Sequence, residues 1–174
     1  DAARVRVLRA PCMGACHEAP AAMVGKRRVA PADPDRLAAV VDSGDFSPVL
    51  PAYVTFEAYR NMGGYRLLEA VRQSQGEEVI AELLRADLRG LGGAGFPTGR
   101  KWQIVRAQPA PRYMCVNADE GEPGTFKDRH YLSTDPHRML EGALIAAHVV
   151  GVDGVWIYLR DEYPDLHVVL RQEI

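Results

Sequence analysis

Glycine is concentrated in one stretch of the chain that also carries positive charge. Residues 89–101 read Arg-Gly-Leu-Gly-Gly-Ala-Gly-Phe-Pro-Thr-Gly-Arg-Lys. Glycine has no Cβ atom, so it reaches positive φ easily and lets a ligand lie against the main chain. Thr98 is placed to cap a helix that begins near Gly99, where free N–H groups attract anions. Arg100 and Lys101 add positive charge at the same point. The stretch therefore predicts a cradle for a phosphorylated cofactor.

The glycine-rich stretch does not fully match either of two familiar phosphate-binding motifs. Gly90, Gly92 and Gly95 fit G-x-G-x-x-G, but that motif requires a preceding strand. Residues 77–88 instead have the apolar periodicity of a helix. The phosphate-loop motif G-x-x-x-x-G-K-[ST] does not occur in the sequence. On the pattern alone, a flexible turn between two helices remains an alternative.

A second stretch places polar side chains directly after an apolar run. Residues 113–116 predict a buried strand, and open α/β sheets bind ligands at the carboxyl ends of their strands. An amide and carboxylates at that point would bond donors on a flavin ring or the hydroxyls of a ribose. An acidic, solvated loop that turns at Pro123-Gly124 is the alternative. The polar residues concerned are Asn117, Asp119, Glu120 and Glu122.

Together the two stretches resemble one protein family. The segments Leu-Arg-Gly-Leu-Gly-Gly-Ala-Gly-Phe-Pro-Thr-Gly-Arg-Lys-Trp and Asn-Ala-Asp-Glu-Gly-Glu-Pro-Gly-Thr-Phe-Lys-Asp-Arg are similar to the flavin- and NADH-binding subunit of respiratory complex I. The same module occurs in NAD-reducing hydrogenases and in NAD-dependent, molybdenum-containing formate dehydrogenases. The later segments Asp135-Pro-His-Arg-Met-Leu-Glu-Gly and Tyr158-Leu-Arg-Asp-Glu-Tyr are most similar to the formate dehydrogenase beta subunit. The resemblance covers residues 53–174.

The resemblance implies a flavoprotein in which FMN exchanges a hydride with NAD(H) and passes electrons to or from iron–sulfur clusters. We expect it to belong to an NAD-dependent formate dehydrogenase. The alternatives are the diaphorase subunit of an NAD-reducing hydrogenase or of complex I, a non-catalytic relative, and a [2Fe–2S] electron carrier. Other electron-transfer subunits would be its partners. The family's later Gly-Glu-Glu segment and its C-terminal four-cysteine [4Fe–4S] motif do not occur after residue 129. Residues 166–174 also read as a helix without a C-cap, so we expect a fragment of a longer polypeptide.

Site residues follow from the resemblance position by position. Phe96 is suited to stack on an adenine or nicotinamide ring. Glu120 and Glu122 would accept bonds from ribose hydroxyls and repel a 2′-phosphate, which favours NADH over NADPH. No general acid or base is assigned, because the hydride moves directly between the two cofactors. The implied FMN contacts are Gly90, Gly92, Lys101, Asn117 and Asp119. The implied NAD contacts are Gly93, Phe96, Glu120 and Glu122, with Gly95 in the same loop.

Cys12 and Cys16 form a C-x₃-C pair near the start of the chain. The surrounding order of strand, cysteine loop, hairpin and helix resembles the second half of a thioredoxin-like [2Fe–2S] domain, in which such a pair supplies two of four ligands. Two thiolates alone do not hold that cluster. The pair is therefore half of a cluster site, the remnant of a site that lost its cluster, or coincidental. His17 is rejected as a Rieske-type ligand because adjacent residues rarely ligate together. Cys115 is expected to be a small core residue.

The predicted elements define an α/β fold in two parts. Residues 1–44 form a partial thioredoxin-like domain, with a strand at 4–8, a hairpin at 21–30 and a helix that Asp33 caps. Residues 45–64 form a linker. Residues 65–174 form the first part of a Rossmann-like α/β FMN-binding domain. In it, a strand near 113–117, a helix that Asp135 caps and a strand at 155–159 predict a βαβ unit with parallel strands.

Composition limits the classes of protein to which the chain can belong. With 47% hydrophobic and 25% charged residues, it has the make-up of a soluble globular protein. Its formal net charge of −2 provides no basic field for nucleic acid. The longest apolar run, residues 143–152, is too short to span a bilayer, and no signal segment is visible. We therefore expect a cytoplasmic protein without direct membrane insertion.

Overall fold

The computed structural model describes residues 5–91 and 93–174, so Gly92 lies outside the described residues. No helix within these ranges is long and apolar enough to cross a membrane. A short 3-10 helix covers Cys16–Glu18. The strands are β1 (Ala22–Val24), β2 (Arg27–Val29), β3 (Tyr113–Ala118) and β4 (Gly154–Leu159). The α-helices are α1 (Pro34–Ser43), α2 (Phe56–Asn61), α3 (Arg66–Gln73), α4 (Gly76–Arg85), α5 (Thr98–Arg106), α6 (Lys127–Thr134), α7 (Pro136–Val150) and α8 (Pro164–Glu173).

The N-terminal part contains the predicted hairpin and helix but not the predicted first strand. β1 and β2 pair antiparallel, and the Asp33 side chain caps α1 by accepting the Arg36 N–H at 2.9 Å. The strand predicted at residues 4–8 is wrong, because residues 5–8 have no regular structure and Arg4 lies outside the described residues. A strand needs a neighbour to bond its backbone groups, and no described strand pairs with residues 5–8. The alternation of polar and apolar side chains was therefore not sufficient to predict a strand here.

The predicted βαβ unit is confirmed. β3 and β4 pair in parallel, in a register that runs from Tyr113 opposite Gly154 to Ala118 opposite Leu159. The Asp135 carboxylate caps α7 by accepting the Arg138 N–H at 3.2 Å, and α7 ends where Gly151 adopts a left-handed conformation. The connection also contains α6, which the sequence analysis did not predict.

Only one face of the β3–β4 sheet is covered by the described residues. Because side chains alternate across a strand, Tyr113 and Cys115 share a face with Trp156 and Tyr158 across the register. Tyr113 is 60% exposed and Trp156 is 57% exposed. The predictions of a buried strand and a core Cys115 are therefore wrong, since Cys115 is exposed. The opposite face packs on α6, α7 and α8 in a core of Ala118, Leu132, Leu140, Leu159, Tyr163, Leu166 and Leu170.

The helices before the sheet position the glycine-rich segment, residues 89–97, called the glycine loop from here. α4 and α5 pack closely together, and Gly99 permits this approach because it has no Cβ. A Cβ at that position would lie 3.0 Å from the Ile80 carbonyl oxygen and 2.9 Å from Leu84 Cγ. Val71, Ile80 and Val149 form a second core that joins these helices to α7. The predicted division into residues 1–44, a linker and residues 65–174 stays a prediction; the helix α2 lies within the linker range.

Candidate functional site

The glycine loop is closed at its base by main-chain hydrogen bonds. Gly90 N donates to the Phe96 carbonyl at 3.0 Å, and Thr98 N donates to the Leu88 carbonyl at 2.8 Å. α5 then begins at Thr98, with Pro97 as its N-cap residue. The predicted helix start is confirmed, but the predicted cap by Thr98 is wrong, because Thr98 is already the first helical residue.

Bare main chain in the glycine loop faces open space. Gly93 and Gly95 have φ angles of 89° and 57°, values that favour glycine. A Cβ added at either position would meet nothing within 4 Å. Arg89 holds the loop in shape by donating from Nη1 to the Gly95 carbonyl at 3.2 Å and from Nε to Asp87 at 3.1 Å. The sequence analysis assigned no role to Arg89. The main chain at these two positions is therefore accessible to a ligand.

The start of α5 has the features of an anion-binding helix end. No side chain among the described residues caps it, so no side-chain acceptor is bonded to its first N–H groups. Lys101 is exposed in the first turn, and Phe96, which is 43% exposed, lies immediately before the helix. The positive end of the helix dipole and a lysine ammonium together favour a phosphate. Residues of the glycine loop and α5 thus fit the phosphate of FMN.

The acidic loop, residues 117–126, begins at the carboxyl end of β3. Asn117 Oδ1 accepts the Asp119 N–H at 3.0 Å, which folds the first residues into a tight turn. Asn117, Asp119 and Glu122 are exposed. Their polar side chains are therefore accessible to a ligand, and their predicted contacts with a flavin ring or a ribose stay predictions.

Glu120 is different, because its side chain is turned into the protein. The residue is only 3% exposed, and its carboxylate accepts the N–H groups of Asp128 at 2.8 Å and Arg129 at 3.2 Å. The Tyr163 hydroxyl donates to the same carboxylate at 3.3 Å. Burial, and then the nearby Glu120 charge, raise the pKa of Tyr163. Glu120 thus holds the start of α6, and its predicted contact with a ribose stays a prediction.

Arg112 ties together the ends of four elements. Its Nη1 donates to the carbonyls of Arg106 at 2.7 Å and Gln108 at 2.9 Å, and its Nε donates to the Gly151 carbonyl at 2.8 Å. Its main-chain N–H donates to Asp153 at 2.8 Å. The ends of α5 and α7 and the starts of β3 and β4 therefore meet at one junction. The start of α5 and the carboxyl end of β3 are the opposite ends of these two elements and do not take part in the junction.

Two arginines connect the cysteine loop, residues 12–16, to the acidic loop. Arg160 donates to the Cys12 carbonyl at 2.9 Å and also to the Glu120 carbonyl. Arg129 donates to the Gly14 carbonyl at 2.7 Å. Sequence reasoning missed both arginines, although each lies in a segment that carried the family resemblance. The two loops are consequently parts of one bonded arrangement.

A cavity of about 310 Å³ separates the same two loops. Cys12 and Cys16 line it on one side, and Glu122 and Phe126 line it on the other. The described ranges contain no group of three or more His, Cys, Asp or Glu residues that could hold a metal ion. A [2Fe–2S] cluster needs four ligands, and the described residues supply two thiols at this cavity, so the predicted cluster site stays a prediction.

A buried polar cluster fastens α2 and the start of α3 to α7 and α8. His137 is fully buried, with Nδ1 2.8 Å from the Tyr65 hydroxyl and Nε2 2.8 Å from Glu173. The Tyr59 hydroxyl donates to Glu141 at 2.6 Å. A cavity of about 890 Å³ adjoins this cluster and is lined by residues of α2, α3, α7, β4 and α8. Its lining combines apolar side chains with charged ones such as Arg60, Arg72 and Arg171. It includes neither predicted loop, so we assign the cluster to the scaffold.

Comparison with known proteins identifies the family. An NADH-quinone oxidoreductase subunit of Aquifex aeolicus (strain VF5) is 44% identical over 124 residues, which are 71% of this chain and 29% of that protein. The mitochondrial NADH-ubiquinone oxidoreductase 51 kDa subunit of Neurospora crassa is 38% identical over 120 residues, 66% of this chain and 24% of that protein. The crystal structure of an NAD+-reducing [NiFe]-hydrogenase in the H2-reduced state matches with a TM-score of 0.73 and 30% identity, covering 93% of this chain and 31% of that chain.

The chain therefore spans less than a third of the length of these relatives. None of the three names specifies formate dehydrogenase, and that finer assignment stays a prediction. The Nuo51 FMN-binding domain family matches residues 83–174, more than half of the chain, and this range includes both the glycine loop and the acidic loop. On that match, the chain belongs to the Nuo51 FMN-binding domain family.

Proposed function

We propose that this chain is part of an NADH dehydrogenase-type flavoprotein subunit that binds FMN at the glycine loop and NAD(H) beside the acidic loop. The observation that carries the proposal is the match to an FMN-binding domain family across both loops. The open main chain at Gly93 and Gly95 supports it, because a phosphate needs that access to backbone N–H groups. The whole-protein names of the relatives, an NADH-quinone oxidoreductase subunit and an NAD+-reducing hydrogenase, are consistent with this activity.

The FMN contacts divide between the two loops. The main chain from Gly90 to Gly93 and the Lys101 ammonium would bind the phosphate, while Asn117 and Asp119 would bond the flavin ring or the ribityl chain. Gly92 belongs to the same proposed set and lies outside the described residues.

The nucleotide contacts are proposed for the exposed side of the same loops. Phe96 presents an exposed ring on which an adenine or nicotinamide can stack. Glu122 presents an exposed carboxylate that would accept ribose hydroxyl bonds and repel a 2′-phosphate. Glu120, whose carboxylate is occupied by Asp128 and Arg129, would then act by fixing the loop that carries Glu122.

In this reaction the residues of the chain would bind the two cofactors and orient them toward each other. When bound, FMN would exchange a hydride with NAD(H) and pass single electrons to iron–sulfur clusters. No side chain is assigned a proton, because the hydride moves directly from one cofactor to the other. The clusters are proposed for accompanying polypeptide or subunits, since the 174 residues contain only three cysteines. We place the protein in the cytoplasm on the composition alone.

The ultimate electron partner is a separate question. The segments that begin at Asp135 and Tyr158 favour a formate dehydrogenase. In the structure the first segment supplies the cap of α7 and the second supplies Arg160. Both are scaffold roles, so they do not discriminate among formate, hydrogen and quinone. Formate-dependent reduction of NAD+ by the purified complex would support the formate assignment, and hydrogen-dependent or quinone-dependent turnover alone would contradict it.

The absorbance spectrum of the purified protein, with whatever subunits accompany it, tests the proposed function. We expect flavin bands that bleach when NADH is added and that disappear in Gly93→Ala. Gly44→Ala is the matched control, because Gly44 also has a positive φ, of 66°, a Cβ there also meets nothing within 4 Å, and that residue lies outside both loops. A folded protein that binds no FMN after reconstitution would refute the proposal.

A further inference from the structure

We propose that Arg160 is a positioning residue of the nucleotide site, whose guanidinium fixes the main chain of the acidic loop so that the exposed Glu122 carboxylate meets the nucleotide ribose. This role rests on the function proposed above. It makes Arg160 a determinant of nucleotide affinity and of the choice between NADH and NADPH, although Arg160 acts only through the main chain of the loop and does not touch the nucleotide.

Arg160 follows β4 directly, beside the carboxyl end of β3. The parallel register places Leu159 opposite Ala118, so Arg160 lies next to the first residues of the acidic loop. Its side chain is only 8% exposed. One guanidinium nitrogen, Nη1, donates to the Glu120 carbonyl, and the other, Nη2, donates to the Cys12 carbonyl at 2.9 Å. A single buried cation therefore ties the main chain of the acidic loop to that of the cysteine loop.

The guanidinium is itself held in a fixed orientation. Its Nε donates to the Glu162 carboxylate at 3.1 Å, and this bond holds the pKa of Glu162 below its usual value. The guanidinium carbon lies 5.3 Å from the centre of the Tyr163 ring. The cysteine loop packs on the same tyrosine, since a Cβ at Gly14 would lie 2.9 Å from the Tyr163 hydroxyl. Arg160 thus has a rigid support from which to hold the acidic loop.

Glu120 carries this constraint to Glu122. The Glu120 carboxylate is bonded to main-chain N–H groups at the start of α6, and Arg160 holds its carbonyl, so the residue is fixed at both its side chain and its main chain. Two residues later, the Glu122 carbonyl accepts the Thr125 N–H at 3.1 Å and closes a short turn. The exposed Glu122 carboxylate therefore projects from a turn that begins beside a fixed residue.

Arg160→Lys tests the role, because lysine keeps the charge but its single ammonium cannot reproduce the fork that joins two carbonyls and a carboxylate. The assay is steady-state oxidation of NADH and NADPH by the purified protein with its accompanying subunits, with ferricyanide as the electron acceptor. We expect KM for NADH to rise about fivefold while kcat stays within about twofold of the wild type. The preference for NADH over NADPH should fall about threefold, with the FMN content unchanged.

Arg112→Lys is the matched control, because it makes the same change in an arginine that also donates to main-chain carbonyls, at a junction away from the acidic loop. It should lower the melting temperature yet keep the wild-type KM and nucleotide preference. Equal kinetic shifts in the two variants would reflect general loosening of the fold and would overturn the role of Arg160.

A double variant tests whether Arg160 acts through Glu122. Adding Arg160→Lys to Glu122→Gln should change the nucleotide preference no further than Glu122→Gln alone, because residues that act through one another are not additive. Fully additive changes would overturn the proposal.

Glu162→Ala provides a second variant in case Arg160→Lys does not fold. It leaves both carbonyl acceptors in place and removes only the carboxylate that orients the guanidinium, so KM for NADH should rise about threefold. An unchanged KM would overturn the proposal. Absence of NADH oxidation by the wild-type protein loaded with FMN would refute the proposed function and this role together. Wild-type turnover with an unchanged KM in folded Arg160→Lys would overturn this role alone.

Discussion

Replacing Glu120 by glutamine gives the sharpest test of how the acidic loop is built. The Glu120 carboxylate accepts the N–H groups of Asp128 and Arg129 and the Tyr163 hydroxyl. A glutamine keeps one acceptor oxygen but turns two N–H donors toward the remaining partners. The tyrosine hydroxyl can rotate and accept, whereas a main-chain N–H cannot. One buried N–H group is therefore left unpaired, and the start of α6 loses its negative charge.

The expected cost of Glu120→Gln follows from these two losses. An unpaired buried donor costs about 1–3 kcal/mol, and a charge at a helix start contributes about 0.5–1 kcal/mol. We expect a loss of about 2–3 kcal/mol, which lowers Tm by about 5–10 °C in a protein of this size. Thermal unfolding followed by circular dichroism measures it.

Glu122→Gln is the matched control, because it makes the same chemical change two residues later on an exposed side chain. It should alter the unfolding free energy by less than about 0.5 kcal/mol. If the two variants melt at the same temperature, the carboxylate of Glu120 does not hold α6, and the separation of roles between the two glutamates is refuted.

Other predictions concern nucleotide choice, flavin binding, helix packing and acid stability. Glu122→Gln should reduce the preference for NADH over NADPH about fivefold, the equivalent of about 1 kcal/mol of repulsion. Steady-state kinetics with both nucleotides measure this preference as a ratio of kcat/KM values, and a ratio equal to that of the wild type would contradict the role of Glu122. Gly93→Ala should strain a φ of 89° by about 1–2 kcal/mol and weaken FMN binding by at least about tenfold, measured as flavin retained after dialysis; full retention contradicts the cradle. Gly99→Ala should destabilise by about 1–3 kcal/mol, because its Cβ would approach the Ile80 carbonyl, and a wild-type melting temperature would disprove that packing. Burial opposes ionisation of Glu141, but hydrogen bonds from the Tyr59 hydroxyl and from main-chain N–H groups hold its pKa below the usual value. The ionised Glu141 carboxylate therefore stabilises the fold above the ordinary carboxyl pKa, and this contribution is lost as the pH falls through the lowered pKa of the folded protein. The difference in unfolding free energy between wild type and Glu141→Gln should close below about pH 4. A difference that stays constant with pH would contradict this role of Glu141.

Local sequence patterns predicted the elements that local interactions stabilise. Asp33-Pro34 and Asp135-Pro136 place a side-chain cap and a favourable proline at helix starts, and both helices begin there. Gly151 ends α7 because it adopts positive φ without strain. The hairpin and the parallel strand pair likewise follow from short-range patterning and the length of the connection. The family resemblance was carried by the same contiguous segments.

Contacts between residues far apart in the chain were not predictable in this way. Nothing in the acidic segment distinguishes Glu120 from Glu122, yet one is buried under α6 and the other is exposed. The pattern of residues 113–116 indicated a buried strand, but burial depends on what covers the second face of the sheet, and Cys115 is exposed. Residues 5–8 alternate as a strand does, but they have no partner among the described strands.

The sequence alone determined where glycine and acidic side chains are available, because those properties belong to single residues and their neighbours. The tertiary structure decided which groups remain free to act, because that depends on partners in other elements, some of them more than a hundred positions away. Arg160 bonding the Cys12 carbonyl across 148 positions is such a case, and so is Arg129 bonding the Gly14 carbonyl across 115. These long-range hydrogen bonds connect the cysteine loop to the acidic loop, and no local pattern encodes them.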